Sequence, residues 1–409
     1  MSAEVLFSFD DFTTNHQKGN FAYCIMPQKK IVIIGPTVPY RGGNSLFVSY
    51  LYDALKDKFQ VKVYNYKLLY PSLLFPGTTQ YDKSEKIIKN VPNTRIVNSI
   101  SPINWIRVGS KLKKENADLI VFDWWHPFFS FCHFTISYLI RKKYYNKIIF
   151  ITENVISHES NLIDRKLTKL GLKNASGFLV LSKKVADELK NLVNEKKIYK
   201  SELPVYDCYK NKNTTDIKSL KAELGYSNEN KVLLFFGYVR KYKGLDVLLE
   251  ALSGLIASDN SFRLLVVGEF YDDINNYNEI IKKLKIENYV HIINRFVLNE
   301  EVEQYFAVSD CVVLPYKDAT QSGVLNIAYG FMKPPIVTNV GGLAEFVNNE
   351  ETGIIVNSCS KVEIVKGIER FYELRNKVNF ADNIENRVSK NSFTKLPQLF
   401  DKIIEEAEQ

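Results

Sequence analysis

Short apolar segments alternate with longer amphipathic ones along most of this chain. The run KKIVIIGP at 29–36 is apolar and rich in β-branched residues, and the segment SLFVSYLYDALKDKF that follows its loop has apolar residues at helical spacing before QVKVYNY. This pattern predicts a strand, a helix and a second strand. Further apolar runs at 117–123, 147–153 and 177–182 continue the alternation. Strands separated by helices predict a mostly parallel, doubly wound α/β sheet.

A polar, turn-rich stretch at 204–230 interrupts this alternation, which restarts at 231–237 and continues through apolar runs at 262–268, 290–295, 311–315 and 334–339. We therefore predict two facing Rossmann-like domains, at 29–205 and 206–385. Residues 1–28 are predicted to be an N-terminal extension, and 386–409 a helical segment. The carboxyl ends of parallel strands should line the cleft between the domains, where ligands are expected to bind.

The bulk composition is consistent with two domains and narrows the class of protein. A chain of 409 residues exceeds the size at which one hydrophobic core usually stops growing. The five cysteines are scattered and lack metal-ligand spacing, so we expect a reducing, cytoplasmic compartment. The longest apolar run, FFSFCHFTISYLI at 128–140, is shorter than a membrane span and is interpreted as a buried helix.

The positive charge of the chain is concentrated in its first half. The net charge is +8, but residues 29–205 contain 29 Lys and Arg against 14 Asp and Glu. Such an excess suits nucleic acid, an anionic membrane surface or an anionic substrate, and it is also compatible with a merely solvated face. Without a nucleic-acid-binding signature, we favour the inner face of the plasma membrane, with peripheral association, and expect no nucleic-acid partner.

Three loops between a strand and a helix have residues suited to phosphate. Backbone amides at a helix start, together with the helix dipole, favour an anion, and cations at such a loop can neutralise a diphosphate. Each loop also has a simpler explanation, as an ordinary turn, a solvated basic loop or a helix start without a ligand. The candidate residues are Gly42 and Gly43 in the first domain, and Arg240, Lys241, Lys243, Ser322, Gly323 and Val324 in the second.

Several segments in the same order resemble glycosyltransferase family 4, a retaining family with two Rossmann-like domains in the GT-B arrangement. In the first half the resemblance rests on PYRGGNSLFVSYLYDAL. In the second half it rests on FFGYVRKYKGLDVLLEAL, RLLVVGE, HIINRFVLNEEVEQYFAVSDCVVLPY and GVLNIAYGFMKPPIVTNVGGLAEFV. The resemblance covers about residues 29–385 and implies transfer of a sugar from a nucleoside diphosphate donor.

By position, the resemblance assigns roles to individual residues. Gly43 would lie against the donor phosphates, Lys243 would hold the diphosphate, and Arg240 would reach it from a shifted position, since Tyr238 occupies the usual place of the arginine. The other assigned residues are Phe296 and Val297 at the nucleobase, the amides of Ser322, Gly323 and Val324 at a phosphate, His126 at the transferred sugar, and His158 facing the acceptor. An aromatic-flanked histidine such as His126 is otherwise often a core residue.

The chain departs from the family at its pair of glutamates separated by seven residues. Asp318 or Thr320 stands near the first position, and Asn326-Ile327 stands where a ribose-binding carboxylate is usual. The segment TQSGV resembles a variant within the family, and Asn326 is a candidate substitute for the missing carboxylate.

The resemblance predicts a retaining transferase without a metal or other cofactor, acting on a glycan or polyprenyl-linked acceptor in cell-surface polysaccharide assembly. Two alternatives stay open. One is a nucleotide-sugar epimerase of similar architecture, and the other is a non-catalytic nucleotide-sugar-binding or scaffold subunit, motivated by the missing carboxylate and the displaced arginine.

Overall fold

The computed structural model describes residues 28–75, 77–155, 162–193, 195–206, 208, 216–390 and 393–409. The first domain contains a seven-stranded parallel sheet in the order β3-β2-β1-β4-β5-β6-β7. Its strands are β1 Lys30–Ile34, β2 Gln60–Leu68, β3 Asn93–Asn98, β4 Leu119–Trp124, β5 Ile148–Thr152, β6 Gly177–Val180 and β7 Lys197–Lys200. Helices cover both faces of this sheet, so its central strands are buried on both sides and are mostly apolar, with Asp123 of β4 as a buried exception.

The helices of the first domain connect these parallel strands. They are α1 Gly43–Leu55, α2 Pro102–Lys113, α3 Ser130–Ile140, α4 Leu162–Gly171 and α5 Lys183–Leu192. The prediction of α3 as a buried helix needs correction. Its inner face, with Cys132 and Ile136, is buried, but Phe131 and Tyr138 on its outer face are exposed. Within the described residues, no helix is both long enough and apolar enough to span a bilayer.

The second domain contains a six-stranded parallel sheet in the order β10-β9-β8-β11-β12-β13. Its strands are β8 Lys231–Phe236, β9 Phe262–Val267, β10 Val290–Ile293, β11 Cys311–Leu314, β12 Pro335–Thr338 and β13 Ile354–Val356. Its helices are α6 Ile217–Glu223, α7 Leu245–Ser258, α8 Ile274–Leu284, α9 Val302–Val308, α10 Gly323–Gly330 and α11 Lys361–Leu374. The predicted fold of two Rossmann-like parallel-sheet domains is confirmed.

The C-terminal segment returns to the first domain. It contains α12, Phe380–Lys390, which crosses the predicted boundary at 385, and α13, Leu396–Glu408. Helix α13 packs against α1, and the ring of Phe393 lies 5.1 Å from that of Tyr50. One continuous apolar cluster therefore joins the two domains on this side.

Polar contacts also join the domains beside the cleft. The carboxylate of Glu345 accepts hydrogen bonds from the backbone N–H groups of Lys183, at 2.8 Å, and Lys184, at 3.2 Å, at the start of α5. The side chain of Lys184 forms an ion pair with Asp318, and Thr320 donates a hydrogen bond to Asn154. The structure is thus that of a closed pair of domains.

Candidate functional site

A cleft of about 410 Å³ lies between the carboxyl ends of the two sheets. The first domain contributes the loop between β1 and α1. The second contributes the segments after β8, β9, β10 and β11, together with the start of α10. The residues that line this cleft include Arg41, Gly42, Gly43, Lys243, Glu269, Phe296, Val297, Tyr316, Ser322, Gly323, Val324 and Ile327.

The start of α1 offers unoccupied backbone amides to this cleft. The side-chain amide of Asn65 fixes the preceding loop by donating to the backbone oxygen of Val38, at 3.0 Å, and to Oγ1 of Thr37, at 2.9 Å. Gly42 has a φ of 105°, and no side chain caps the helix. A Cβ added at Gly42 or Gly43 would meet no atom within 4 Å. The glycines therefore face open space, where an anion can approach the amides.

The start of α10 lines the same cleft from the second domain. Ser322 caps the helix, since its Oγ accepts a hydrogen bond from the N–H of Leu325 at 3.3 Å. A Cβ at Gly323 would also meet no atom within 4 Å. Two helix N-termini therefore contribute partial positive charge to one cavity, which suits a polyanion such as a diphosphate.

Lys243 brings a full positive charge close to these helix starts. It ends the short turn after β8, and only 7% of it is exposed. Its Nζ lies 3.4 Å from the position of a Cβ on Gly237 and 5.4 Å from the ring centroid of Tyr316. Burial, followed by the repulsion of Arg240, lowers the pKa of Lys243 to about 7, and no described carboxylate offsets this shift. An anion bound here would supply the missing counter-charge.

Arg240 and His126 lie close enough to interact electrostatically, but outside the residues that line the cleft. Nδ1 of His126 accepts a hydrogen bond from the N–H of Phe128 at 3.1 Å, which leaves Nε2 available. Although His126 is exposed as a residue, desolvation by the surrounding protein lowers its pKa. Asp164 opposes this shift, and Arg240 adds to it. The guanidinium of Arg240 lies 4.9 Å from the ring centroid of Tyr271.

Among the other histidines, His133 does not line the cleft. His158 lies outside the described residues. His133 is fully buried in α3, where its Nε2 and the hydroxyl of Tyr66 form a hydrogen bond of 2.8 Å.

Sequence reasoning missed an ion pair that crosses the cleft. Nη2 of Arg41 donates to Glu269 at 2.5 Å, and the two side chains are 1% and 7% exposed. The guanidinium lies 4.3 Å from the ring centroid of Phe296, and Oε1 of Glu269 also accepts from the N–H of Thr78 at 2.6 Å. Burial would raise the pKa of Glu269, but the bonds from Thr78 and Arg41 outweigh it and lower the pKa.

The signal for this ion pair was present in the sequence. Arg41 directly precedes the Gly-Gly loop, and Glu269 follows a buried strand by two residues. Charged residues directly after strands lie at the ligand-binding edge of a parallel sheet. Phe296 and Val297 line the cleft, and the ring of Phe296 packs against Arg41.

Asn326 does not enter the cleft, which corrects its expected role as a substitute for the carboxylate. It is buried, and its Nδ2 donates to the backbone oxygen of Leu203 at 3.5 Å. The next residue, Ile327, lines the cleft instead. Asp318 and Thr320, at the other position of the glutamate pair, take part in the contacts between the domains. An aliphatic side chain therefore stands where the resemblance implies a ribose-binding carboxylate.

Comparison with known proteins identifies the second domain. Residues 216–391 match the family model described as glycosyl transferases group 1. The match covers less than half of the chain and shows a similarity of the second domain, with α12, to that family. The matched range includes Lys243, Phe296, Val297 and the start of α10, whereas Arg41, Gly42 and Gly43 lie outside it.

Individual relatives are distant. The chain is 27% identical over 210 residues to the glycogen synthase of Thermodesulfovibrio yellowstonii, a match covering 49% of this chain and 40% of that protein. It is 24% identical over 336 residues to an uncharacterized glycosyltransferase of Methanocaldococcus jannaschii, covering 80% and 83% of the two chains. The crystal structure of Anabaena HepE in complex with UDP-glucose superposes with a TM-score of 0.72 at 17% identity, covering 92% of this chain and 99% of that one.

Metal ligands are not clustered in the part of the chain that the structure describes. No group of three or more His, Cys, Asp and Glu side chains is arranged there to hold a metal ion.

Proposed function

We propose that this protein is a nucleotide-sugar-dependent glycosyltransferase that transfers a sugar with retention to a glycan or polyprenyl-linked acceptor, in the assembly of a cell-surface polysaccharide. The observation that carries the proposal is the buried amine of Lys243 in a cleft that two helix N-termini also line. A nucleoside diphosphate would supply the negative charge that this arrangement lacks.

The same groups would assist the chemical step. As the bond between the sugar and the diphosphate breaks, negative charge develops on the leaving phosphate oxygen. Lys243 and the amides at the start of α10 would stabilise that charge more strongly than the charge of the bound donor. In the retaining mechanism implied by the resemblance, the leaving diphosphate accepts the proton of the attacking hydroxyl on the same face of the sugar. We propose that this chemistry needs no metal ion.

Recognition of the nucleoside must differ from that in relatives that have the ribose-binding carboxylate. Ile327 cannot hydrogen-bond a ribose hydroxyl, but Nε and Nη1 of Arg41 are buried and have no hydrogen-bond partner in the described structure. Buried donors of this kind favour a ligand that offers oxygen acceptors. We propose that Arg41, held by Glu269 and Phe296, contacts the nucleoside.

The decisive experiment offers the protein a panel of nucleotide sugars, with and without candidate acceptors, and follows released nucleoside diphosphate by mass spectrometry. We expect acceptor-dependent release that continues in the presence of a chelator. An epimerised donor without acceptor dependence would favour the epimerase alternative. Stabilisation by UDP, GDP or ADP in a thermal-shift assay, without turnover of any donor, would favour a binding subunit. Release that stops with chelator and returns with magnesium or manganese would contradict the metal-independent step.

A further inference from the structure

Exposed large apolar side chains are concentrated on the first domain. In the described structure, only Ile217 and Val362 of this class lie in the second domain. On α2, Ile103 and Ile106 are 66% and 53% exposed, and on α3, Phe131 and Tyr138 are 56% and 47% exposed. Isolated exposed apolar residues are common, but a group on neighbouring helices indicates an interaction surface.

These residues lie on adjacent helices. Ile103, Ile106 and Arg107 follow the spacing of one helical face, as do Phe131 and Tyr138. Helix α2 packs against α3, and the close approach of Gly109 to Leu139 marks their contact. Helix α3 also packs against α4, and Leu162 at the start of α4 is exposed as well. We define the lateral face as the outward side of α2 and α3 together with Leu162.

The segments that contain α2 and α3 have charges of one sign, whereas the first turn of α4 contains Asp164. Residues 99–114 and 124–152 contain no Asp or Glu. The guanidinium of Arg141 lies 3.4 Å from the ring centroid of Tyr138, so that cationic and apolar groups are in contact. The basic residues in these two segments are Arg107, Lys111, Lys113, Lys114, Arg141, Lys142, Lys143 and Lys147.

This combination favours one kind of partner. Apolar side chains mixed with cations, on helices that lie side by side, match the boundary between lipid headgroups and acyl chains of an anionic bilayer. A symmetric contact with a second copy of this chain would bring the same cations together, which opposes dimerisation through this face. We propose that the lateral face rests on an anionic membrane surface. This proposal goes beyond the sugar transfer proposed above and does not depend on it.

The position of the lateral face has a consequence for the site. Ile103 and Phe131 are second residues of helices that follow β3 and β4, and Leu162 begins the helix after β5. The starts of such helices lie at the carboxyl edge of the sheet, the edge that faces the cleft. A bilayer in contact with these residues would therefore border the cleft mouth, and His126 lies in the segment directly before α3. An acceptor anchored in that bilayer could reach the site without leaving the membrane.

Vesicle flotation tests the proposal with the full chain. Vesicles of phosphatidylcholine with phosphatidylglycerol should bind the protein at low salt, and binding should weaken at high salt. Vesicles of phosphatidylcholine alone should bind it at least tenfold less. Replacing Arg107, Lys114 or Lys142 with Gln should weaken binding about fivefold for each cation removed. The double variants Ile103→Ser/Ile106→Ser and Phe131→Ser/Tyr138→Ser should lower binding in both salt conditions.

Matched substitutions in the second domain serve as controls. Val362→Ser removes an equally exposed apolar side chain from α11, and Lys282→Gln removes an exposed cation from α8. Both should retain binding. Failure of the wild type to bind anionic vesicles at low salt, or equal losses in the controls, would overturn the proposal. So would a dimer in analytical ultracentrifugation that the Phe131→Ser/Tyr138→Ser variant dissociates, because the face would then be an interface between copies.

Thermal stabilisation by UDP, GDP and ADP, measured on every variant, separates misfolding from loss of the membrane contact. It also separates the membrane contact from the glycosyltransferase function. Vesicle binding without any nucleotide binding would count against the glycosyltransferase function alone, and nucleotide binding without vesicle binding would count against the membrane contact alone.

Discussion

Replacing Lys243 by Met keeps the buried stem of the side chain and removes its amine. The amine has a pKa of about 7 in the folded protein and 10.5 as its ordinary value. Between about pH 7 and pH 10.5 the unfolded chain therefore binds more protons than the folded protein. The free energy of unfolding should rise with pH across this range and be lowest below pH 7. This lowering of the pKa corresponds to a cost of at most about 5 kcal/mol to the free energy of unfolding at low pH. Relaxation of the surrounding structure and entry of water will reduce this cost. We therefore expect Lys243→Met to stabilise the nucleotide-free protein at pH 7 by about 1 to 3 kcal/mol.

The same amine should link nucleotide binding to proton uptake. At pH 8 most of the free protein has a neutral Lys243, whereas a bound diphosphate would favour the ammonium form. Binding should therefore take up close to one proton, and affinity should fall as pH rises above about 7. Isothermal titration calorimetry in buffers of different ionisation enthalpy measures this uptake directly. In Lys243→Met, we expect the uptake to disappear and affinity to fall at least tenfold.

Lys241→Met is the matched control, because Lys241 lies on the same short turn but is exposed. It should change neither stability nor proton uptake appreciably. The reasoning would be refuted if Lys243→Met bound nucleotide as tightly as the wild type, or if the wild type bound it at pH 8 without taking up a proton.

Three further substitutions probe the site. Gly43→Ala should change the free energy of unfolding by less than about 1 kcal/mol, since its Cβ meets open space, but should lower nucleotide affinity at least tenfold in calorimetry. Gly254→Ala within α7 is the control. Equal nucleotide affinities of Gly43→Ala and the wild type would contradict the phosphate role of Gly43. Glu269→Gln leaves the Arg41 cation buried without its counterion, so denaturant unfolding should show a loss of about 1 to 3 kcal/mol in the free energy of unfolding. Small-angle scattering should show a more open molecule. An unchanged scattering curve would exclude a role of this ion pair in holding the two domains together. His126→Ala should lower turnover about a hundredfold, while calorimetry should find nucleotide affinity unchanged. Normal turnover would show that His126 has a structural role only.

The local pattern of the sequence determined most of the architecture. Runs of buried apolar residues marked β1, β4, β5, β8 and β9, because a parallel strand covered on both faces is mostly apolar. Glycines in the loops between strands and helices marked the starts of α1 and α10, since a residue without a side chain gives a ligand close access to the backbone amides. The excess of Lys and Arg in residues 29–205 was likewise a property of the sequence alone.

Other features depend on how distant segments dock, which no local periodicity records. Arg41 and Glu269 are 228 positions apart and meet only because the domains close. Asn326 and Ile327 are neighbours, but a turn of about 100° per helical residue directs one toward Leu203 and the other into the cleft. Helix α3 is apolar on all sides, so its sequence predicts burial, and only its position at the edge of the first domain leaves Phe131 and Tyr138 exposed. The sequence thus determined which elements form and where phosphate is expected to bind, whereas tertiary packing decided which side chains face the cleft and which face the outside.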